Sequence, residues 1–301
     1  MLNHPYVLET TVEADEDGLM VKDIVYGRLD LSRGLLRRMK RGGGIYLNGQ
    51  RDYLSRRVKT GDVIQIEFYD ETTTMEPQDI PLNIVFEDDY LLVVNKEAGM
   101  PVHPTGAYQE GTLANALSYY WRKIGLETKV RLVHRIDKDT SGLILVAKEP
   151  YTLQRLLKQL SRQELVREYL AIVEGQLASS KGVLAMSIGR SLDHGVKRAV
   201  TEGGKEARTV YKVLCTSPRA TLLRARLESG RTHQIRVHFA DLGHPLLGDP
   251  LYSQAIAETI GQALHAWRLE FVHPRTNRRH IVTAPIPETM LNLWKMCRKE
   301  Q

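Results

Sequence analysis

The chain has 301 residues, 42% of them hydrophobic and 26% charged, with a formal net charge of +6. Ordinary glycine and proline contents (23 and 12) exclude a collagen-like or disordered chain, and two distant cysteines, Cys215 and Cys297, exclude a CxxC zinc or redox motif and argue against a disulfide framework. No apolar run approaches the ~20 residues that span a bilayer, and the polar, acidic stretch from Met1 to Asp17 is not a signal peptide, so the expectation is a soluble cytoplasmic protein.

Residues 1–75 read as a small domain. Tyr6 to Val12 and Val21 to Val25 are expected as strands. Leu31, Leu35, Leu36 and Met39 are spaced for one face of an amphipathic helix over residues 31–41, closed by Gly42-Gly43-Gly44. Ile45-Tyr46-Leu47 and Val63 to Ile66 read as strands, with Asn48-Gly49 as a tight turn. From Arg33 to Lys59 the charges are Arg33, Arg37, Arg38, Lys40, Arg41, Arg51, Arg56, Arg57 and Lys59 against Asp52. Such a cluster on a helix backed by glycines suits phosphate contacts. A linker is expected next: Asp70 to Pro81 has no periodicity, with residues 76–82 taken as the junction.

The second domain, residues 83–301, opens with strands at Ile84-Val85-Phe86 and Leu91 to Val94 around Glu87-Asp88-Asp89. A helix runs from Thr112 to about Lys123. Leu143 to Ala147 is a buried strand, preceded by the turn Asp139-Thr140-Ser141-Gly142. Leu153 to Leu160 is a helix, and Val166 to Val173 a strand carrying Tyr169. Met186 to Lys205 reads as irregular and basic. Strands follow at Ala207 to Leu214 and Ala220 to Leu227. The next helix covers His233 to Leu242, with Thr232 as N-cap and Gly243 as C-cap. Leu264 to Val272 and His280 to Thr283 are strands, and Leu291 to Lys299 a final helix. Strands joined by short turns predict an α+β fold with a mixed, largely antiparallel sheet.

The chemistry concentrates before the strand at 143–147. Asp137 lies among His134, Arg135, Lys138 and Asp139, and a carboxylate aimed beside a core needs a cationic partner. Arg236, between Ile235 and Val237, is the candidate. His233 and His238 are five apart, not on one helix face, and no HExxH occurs, which argues against a catalytic metal. GxGxxG after a strand, GxxxxGK[ST] and GxSxG are all absent, so no nucleotide cofactor or serine hydrolase is expected.

Four stretches then resemble one family. His134-Arg135-Ile136-Asp137-Lys138-Asp139-Thr140-Ser141-Gly142-Leu143 resembles the catalytic motif of the RluA-type pseudouridine synthases. Asn95 to Pro104 is similar to their preceding motif, with Glu97 where the family usually has proline. Gly230 to His238 followed by Leu242 to Asp249 resembles the third, and Leu264 to Leu269 the fourth. In the first domain, Ile45-Tyr46-Leu47-Asn48-Gly49 and Lys59-Thr60-Gly61-Asp62-Val63-Ile64 resemble the S4-type RNA-binding domain found in front of the catalytic domain in the subgroup acting on large-subunit ribosomal RNA.

The resemblance implies isomerisation of uridine to pseudouridine within structured RNA, 23S ribosomal RNA before transfer RNA, without metal or cofactor. It implies that Asp137 acts on the ribose, as nucleophile at C1′ or base at C2′. Tyr169 would stack on the target base, Arg236 pair with Asp137, and Leu264 pack beside them. Arg135 would help hold the RNA with its base extruded, His134 is a further substrate-binding candidate, and Arg231 is a candidate for RNA phosphate. Lys197 is a further candidate for phosphate. Arg33, Arg37, Arg38, Lys40 and Arg41 would bind RNA from the first domain. The competing readings are a non-catalytic RNA-binding or ribosome-assembly factor on the same fold and a metal-dependent nuclease. No membrane partner is expected, and the absence of an exposed heptad or repeat favours a monomer.

Overall fold

A computed structural model describes residues 6–39, 43–68, 75–106, 108–191, 195–254 and 261–299. Its N-terminal unit is built on alternation. In β1 (Tyr6–Thr11) and β4 (Val63–Phe68) every second side chain turns inward, and Ile64, Ile66 and Phe68 are buried. With β2 (Gly44–Leu47) and β3 (Gln50–Arg51) they form a four-stranded sheet in the order β1-β4-β2-β3. Asn48 and Gly49, with φ of 51° and 79°, make the expected turn between β2 and β3.

Helices α1 (Val21–Tyr26) and α2 (Arg33–Met39) cover this sheet. The strand expected at Val21 to Val25 is therefore a helix. Its β-branched residues suggested a strand, but Val21, Ile24 and Val25 stand at i, i+3, i+4, the spacing of one buried helix face. In α2, Ser32 Oγ accepts from the Leu35 amide at 3.1 Å, starting the helix two residues later than its apolar spacing suggested. Lys40, Arg41 and Gly42 lie outside the described residues.

The second unit holds β5 (Ile84–Glu87), β6 (Leu91–Lys96), α3 (Leu113–Lys123), β7 (Arg131–Leu132), β8 (Ser141–Ala147), α4 (Pro150–Ser161) and β9 (Val166–Glu174). It continues with β10 (Lys181–Ala185), β11 (Ile188–Arg190), β12 (Arg198–Val200), β13 (Arg208–Thr216), β14 (Ala220–Leu227), α5 (Gln234–Asp241), β15 (Leu264–Val272), β16 (Arg279–Thr283) and α6 (Glu288–Lys299). Among the described residues ten strands form one sheet, in the order β10-β13-β14-β9-β15-β8-β6-β5, with β16 on β15 and β7 on β8. The pairing of β8 with β15 is the one parallel contact there, so the expected mixed, largely antiparallel α+β sheet is found.

Side-chain alternation divides the core between the two faces of this sheet. Leu92, Val94, Ile144, Val146, Tyr169 and Ala266 pack under α3 and α5, while Leu91, Val93, Leu143 and Leu145 meet Leu156 of α4. Leu170 and Ile172 meet Met290 of α6. Each such buried aliphatic side chain contributes roughly 1.5–3 kcal/mol.

One segment departs from the sequence reading. Met186 to Lys205, expected to be irregular, contains the hairpin β11–β12, paired from Ile188↔Val200 to Arg190↔Arg198. Ile188 and Val200 pack with Val237 of α5, an apolar contact too sparse in sequence to announce strands. The junction at 76–82 has no helix or strand but is tied to α3, where Asn115 Nδ2 donates to Glu76 O at 2.8 Å.

The N-terminal unit sits against α4. Tyr151 joins its core, stacked on Phe68 with ring centroids 6.1 Å apart. Asp30 accepts from Arg155 at 3.1 Å and pairs with Lys158 at 2.6 Å.

Candidate active site

Asp137 stands in the loop between β7 and β8, and Gly142 sets where that loop enters the sheet. Gly142 has φ of 112°, and a Cβ there would lie 2.3 Å from the carbonyl oxygen of Ala266. Only glycine lets β8 approach β15 this closely. Ala266 pairs with Gly142 on one side and with Tyr169 on the other. The three residues thus form one row across β8, β15 and β9, which brings Tyr169 to the loop although it lies far along the chain.

Further bonds hold the loop. The Thr140 amide donates to Asp137 O at 3.2 Å, and Gln262 Nε2 donates to Thr140 Oγ1 at 3.0 Å. Ser141 Oγ and His265 Nδ1 are 2.8 Å apart. From the Asn95–Pro104 stretch, Lys96 Nζ donates to the carbonyls of Glu97 (2.6 Å) and Lys138 (2.8 Å), and the Gly99 amide also bonds Lys138 O. Burial pulls the Lys96 amine down to about 7, against the pull of Asp139 and Asp137.

Helix α5 supplies the counter-charge. Arg236 Nη1 donates to Asp137 Oδ2 at 3.1 Å, while Nε and Nη2 grip Asp249 at 2.7 and 2.8 Å. The Asp249 side chain is fully buried and also accepts the amides of Leu251 and Tyr252. Burial works against the charge of Arg236, but the bonds and charges of Asp249 and Asp137 outweigh it and keep the guanidinium protonated. The rigid fork of arginine lets one side chain serve both carboxylates. Asp137 Oδ1 accepts no hydrogen bond from the described residues, and the side chain, which lines the cleft, is 18% exposed.

Helix α5 is itself pinned. Gln234 Nε2 donates to Arg208 O and Thr209 Oγ1, each at 3.0 Å, and Ser229 Oγ donates to Gln234 Oε1 at 2.7 Å. The residue before the helix is His233, in the left-handed region at φ 60°, and not Thr232 as expected. The turn at Gly230 to Thr232 closes on the Gln234 side chain, which accepts the Arg231 amide at 3.0 Å and leaves no capping task for Thr232.

These elements surround a cleft of about 520 Å³ lined by His134, Arg135, Asp137, Tyr169, Arg231, Arg236 and Leu264, all seven expected site residues of this unit. They are not equivalent. Arg135 and Arg231 are exposed at its rim, Arg231 Nε donating to Glu206 O at 2.9 Å. His134 is buried, held neutral by desolvation that takes its pKa to about 3, and its Nε2 accepts the Leu145 amide. The Tyr169 phenol is pushed up by burial and stays protonated. Lys197 lies outside this lining, over the Tyr252 ring.

Asp249, Tyr252, Lys96 and Arg167 take part without having been assigned a role from sequence. Arg167 is buried in the cleft wall beside Tyr169, with Nη2 on Ser229 O at 3.0 Å and Nε unpartnered. The Asp249 signal was present in the stretch Leu242 to Asp249, but nothing local named its partner.

A model of the RNA pseudouridylate synthase family matches residues 90–241, which contain the Asp137 loop, Tyr169 and Arg236. The chain belongs to this family. The enzyme is an isomerase that forms pseudouridine in RNA. It is similar to the "Uncharacterized RNA pseudouridine synthase YhcT" of Bacillus subtilis, 39% identical over 95% of this chain and 96% of that protein. It is also similar to the "Ribosomal large subunit pseudouridine synthase D" of Xanthomonas campestris, 38% identical over 90% of this chain and 86% of that one. Among solved structures, human RNA pseudouridylate synthase domain containing 1 superposes with a TM-score of 0.57 at 26% identity, over 70% of this chain and 86% of that chain. No helix among the described residues is long and apolar enough to cross a membrane.

Proposed function

We propose that the enzyme converts specific uridines of large-subunit ribosomal RNA to pseudouridine, with Asp137 acting on the ribose of an extruded nucleotide. The observation that carries this reading is the placement of the Asp137 carboxylate in the cleft. Oδ2 is fixed by Arg236 at 3.1 Å, and Oδ1 has no hydrogen-bond partner among the described residues. Leu264 and Tyr169 supply an apolar and aromatic wall on which a uracil ring can lie. Extruding a base costs a few kcal/mol, which stacking on Tyr169 and a charge-assisted contact from Arg135 offset. The naming of several relatives for the large ribosomal subunit supports the choice of RNA.

The N-terminal unit supplies affinity in this reading, as an S4-like module. Arg33 and Arg37 are exposed on α2 and face solvent in a position to meet phosphates. The test is a pseudouridine map of large-subunit ribosomal RNA and transfer RNA after incubation with wild type and with Asp137→Asn. New pseudouridines in ribosomal RNA from wild type alone support the proposal. Equal modification by the variant overturns the role of Asp137, and modification confined to transfer RNA overturns the target.

A further inference from the structure

Tyr252 connects three things that the reaction scheme above leaves unconnected. Its hydroxyl oxygen accepts the Arg198 amide of β12 at 2.9 Å and lies 3.0 Å from His233 Nδ1. Its ring lies 5.1 Å from the Arg236 guanidinium carbon and 5.4 Å from Lys197 Nζ. The hairpin β11–β12, with Arg190, Lys197 and Arg198, is thereby joined through one side chain to His233, which lines the Asp137 cleft.

The hydrogen bonding of the Tyr252 hydroxyl favours one form of His233. A phenol carries one proton and two lone pairs. The Arg198 amide occupies one lone pair. If the phenol proton goes to His233 Nδ1, the Tyr252 hydroxyl is fully paired within the protein, and the imidazole carries its own proton on Nε2, where a ligand can take it. In the opposite arrangement the phenol proton has no acceptor among the described residues. His233 Nε2 makes no hydrogen bond to any described residue. Burial, with Arg236 and Arg198, lowers the pKa of His233 against the pull of Asp137 and Asp249, so the ring is neutral at pH 7.

We propose that Tyr252 is a positioning residue that locks His233 as the Nε2–H tautomer, and that His233 then donates a hydrogen bond to an acceptor oxygen of the nucleotide bound at Asp137. This rests on the substrate reading above. A neutral donor suits the position, because a second cation there would compete with Arg236 for the Asp137 carboxylate. Binding of RNA phosphate by the hairpin would tighten the same link, since the Arg198 amide belongs to both.

The first test needs no substrate. Nitrogen NMR of histidine-labelled protein reports which ring nitrogen carries the proton. His233 is expected as Nε2–H in wild type, and as a mixture of tautomers in Tyr252→Phe, which keeps the ring on Arg236 and removes only the hydroxyl. An Nδ1–H form in wild type overturns the proposal. The second test measures single-turnover pseudouridine formation on transcribed large-subunit ribosomal RNA for Tyr252→Phe, His233→Ala and the double variant, with melting temperatures as a check on folding. Each single change should lower the saturated rate about five- to tenfold, the worth of one neutral hydrogen bond, with little change in half-saturating RNA concentration. The double variant should be no slower than His233→Ala, because the two residues act as one unit. Losses that multiply, or a single variant at the wild-type rate, overturn the proposal. Failure of wild type to modify that RNA would refute the substrate reading, while the tautomer result would still decide the lock.

Discussion

Arg236 gives two of its nitrogens to Asp249 and the third to Asp137. The buried carboxylate of Asp249, not that of Asp137, therefore fixes where the guanidinium lies. Lysine cannot reproduce this, since a single ammonium has no fork. Arg236→Lys should leave the fold intact and slow single-turnover pseudouridine formation by roughly 10²-fold, the size expected when a reacting group is displaced by about 1 Å. A variant within threefold of wild type would refute the bridging role.

Asp249 should matter more for stability than for chemistry. Its side chain has no exposure and its removal leaves Arg236 buried with only Asp137 beside it. Breaking such a pair from one side costs about 3–5 kcal/mol. Denaturant unfolding of Asp249→Ala should show a loss in that range. A loss below about 1 kcal/mol would mean that Asp137 alone compensates the guanidinium.

Gly142 admits no side chain. A Cβ would meet backbone atoms of Ala266 at 2.3–2.7 Å, and backbone cannot swing away as a flexible side chain would. Gly142→Ala should cost at least about 1–3 kcal/mol of strain and part β8 from β15, displacing the Asp137 loop. The expected outcome is a lowered melting temperature together with activity below about a hundredth of wild type. Retention of both would show that the row Gly142–Ala266–Tyr169 is not needed.

Lys96 predicts a pH dependence of stability with a definite sign. Its amine titrates at about 7 in the folded chain, against roughly 10.4 when unfolded. Between these values the unfolded chain binds the extra proton, so stability rises as pH increases from about 7 toward 10 and is flat from this source below that window. Lys96→Met removes the effect. The difference in unfolding free energy between wild type and variant should grow in favour of wild type by up to about 2.7 kcal/mol between pH ~7 and ~9. A difference independent of pH would place the lysine charge in water.

The proposed RNA-binding role of the N-terminal unit is tested by salt. Arg33→Glu with Arg37→Glu should weaken RNA binding and reduce the slope of log affinity against log salt by about 0.9 for each phosphate that is no longer neutralised. An unchanged slope would remove α2 from the RNA interface.

Local signals carried much of the fold. The apolar run Leu143 to Ala147 and the Asn48-Gly49 turn were legible because alternation and turn chemistry act over a few residues. Asp137 and Arg236 stand out by their charged and apolar surroundings and Tyr169 through motif resemblance, and the geometry brings all three to one cleft. Tyr252 and Asp249 were not assigned because their partners are chosen by tertiary packing. Nothing near Asp249 in the chain says that Arg236 will lie against it. At Val21–Tyr26 β-branching and helical spacing point opposite ways, and burial on the sheet favours the spacing. The cap falls at His233 because the Gln234 side chain, not Thr232, closes the turn.

The parallel contact between β8 and β15 is only two residue pairs long, His265↔Ser141 and Ala266↔Gly142. On one side of it lie β6, β7 and β8 with Asp137; on the other lie β9, β14 and β15 with Tyr169 and, beyond them, Arg236. At the cleft, the two halves are stitched by Ser141 to His265, Thr140 to Gln262 and Asp137 to Arg236. The sutures of the sheet and the proposed groups of the reaction are thus neighbours or identical. Loosening any one of them opens the seam at the place proposed to grip the ribose, so the mechanical join and the alignment of Asp137 with Arg236 are expected to fail together.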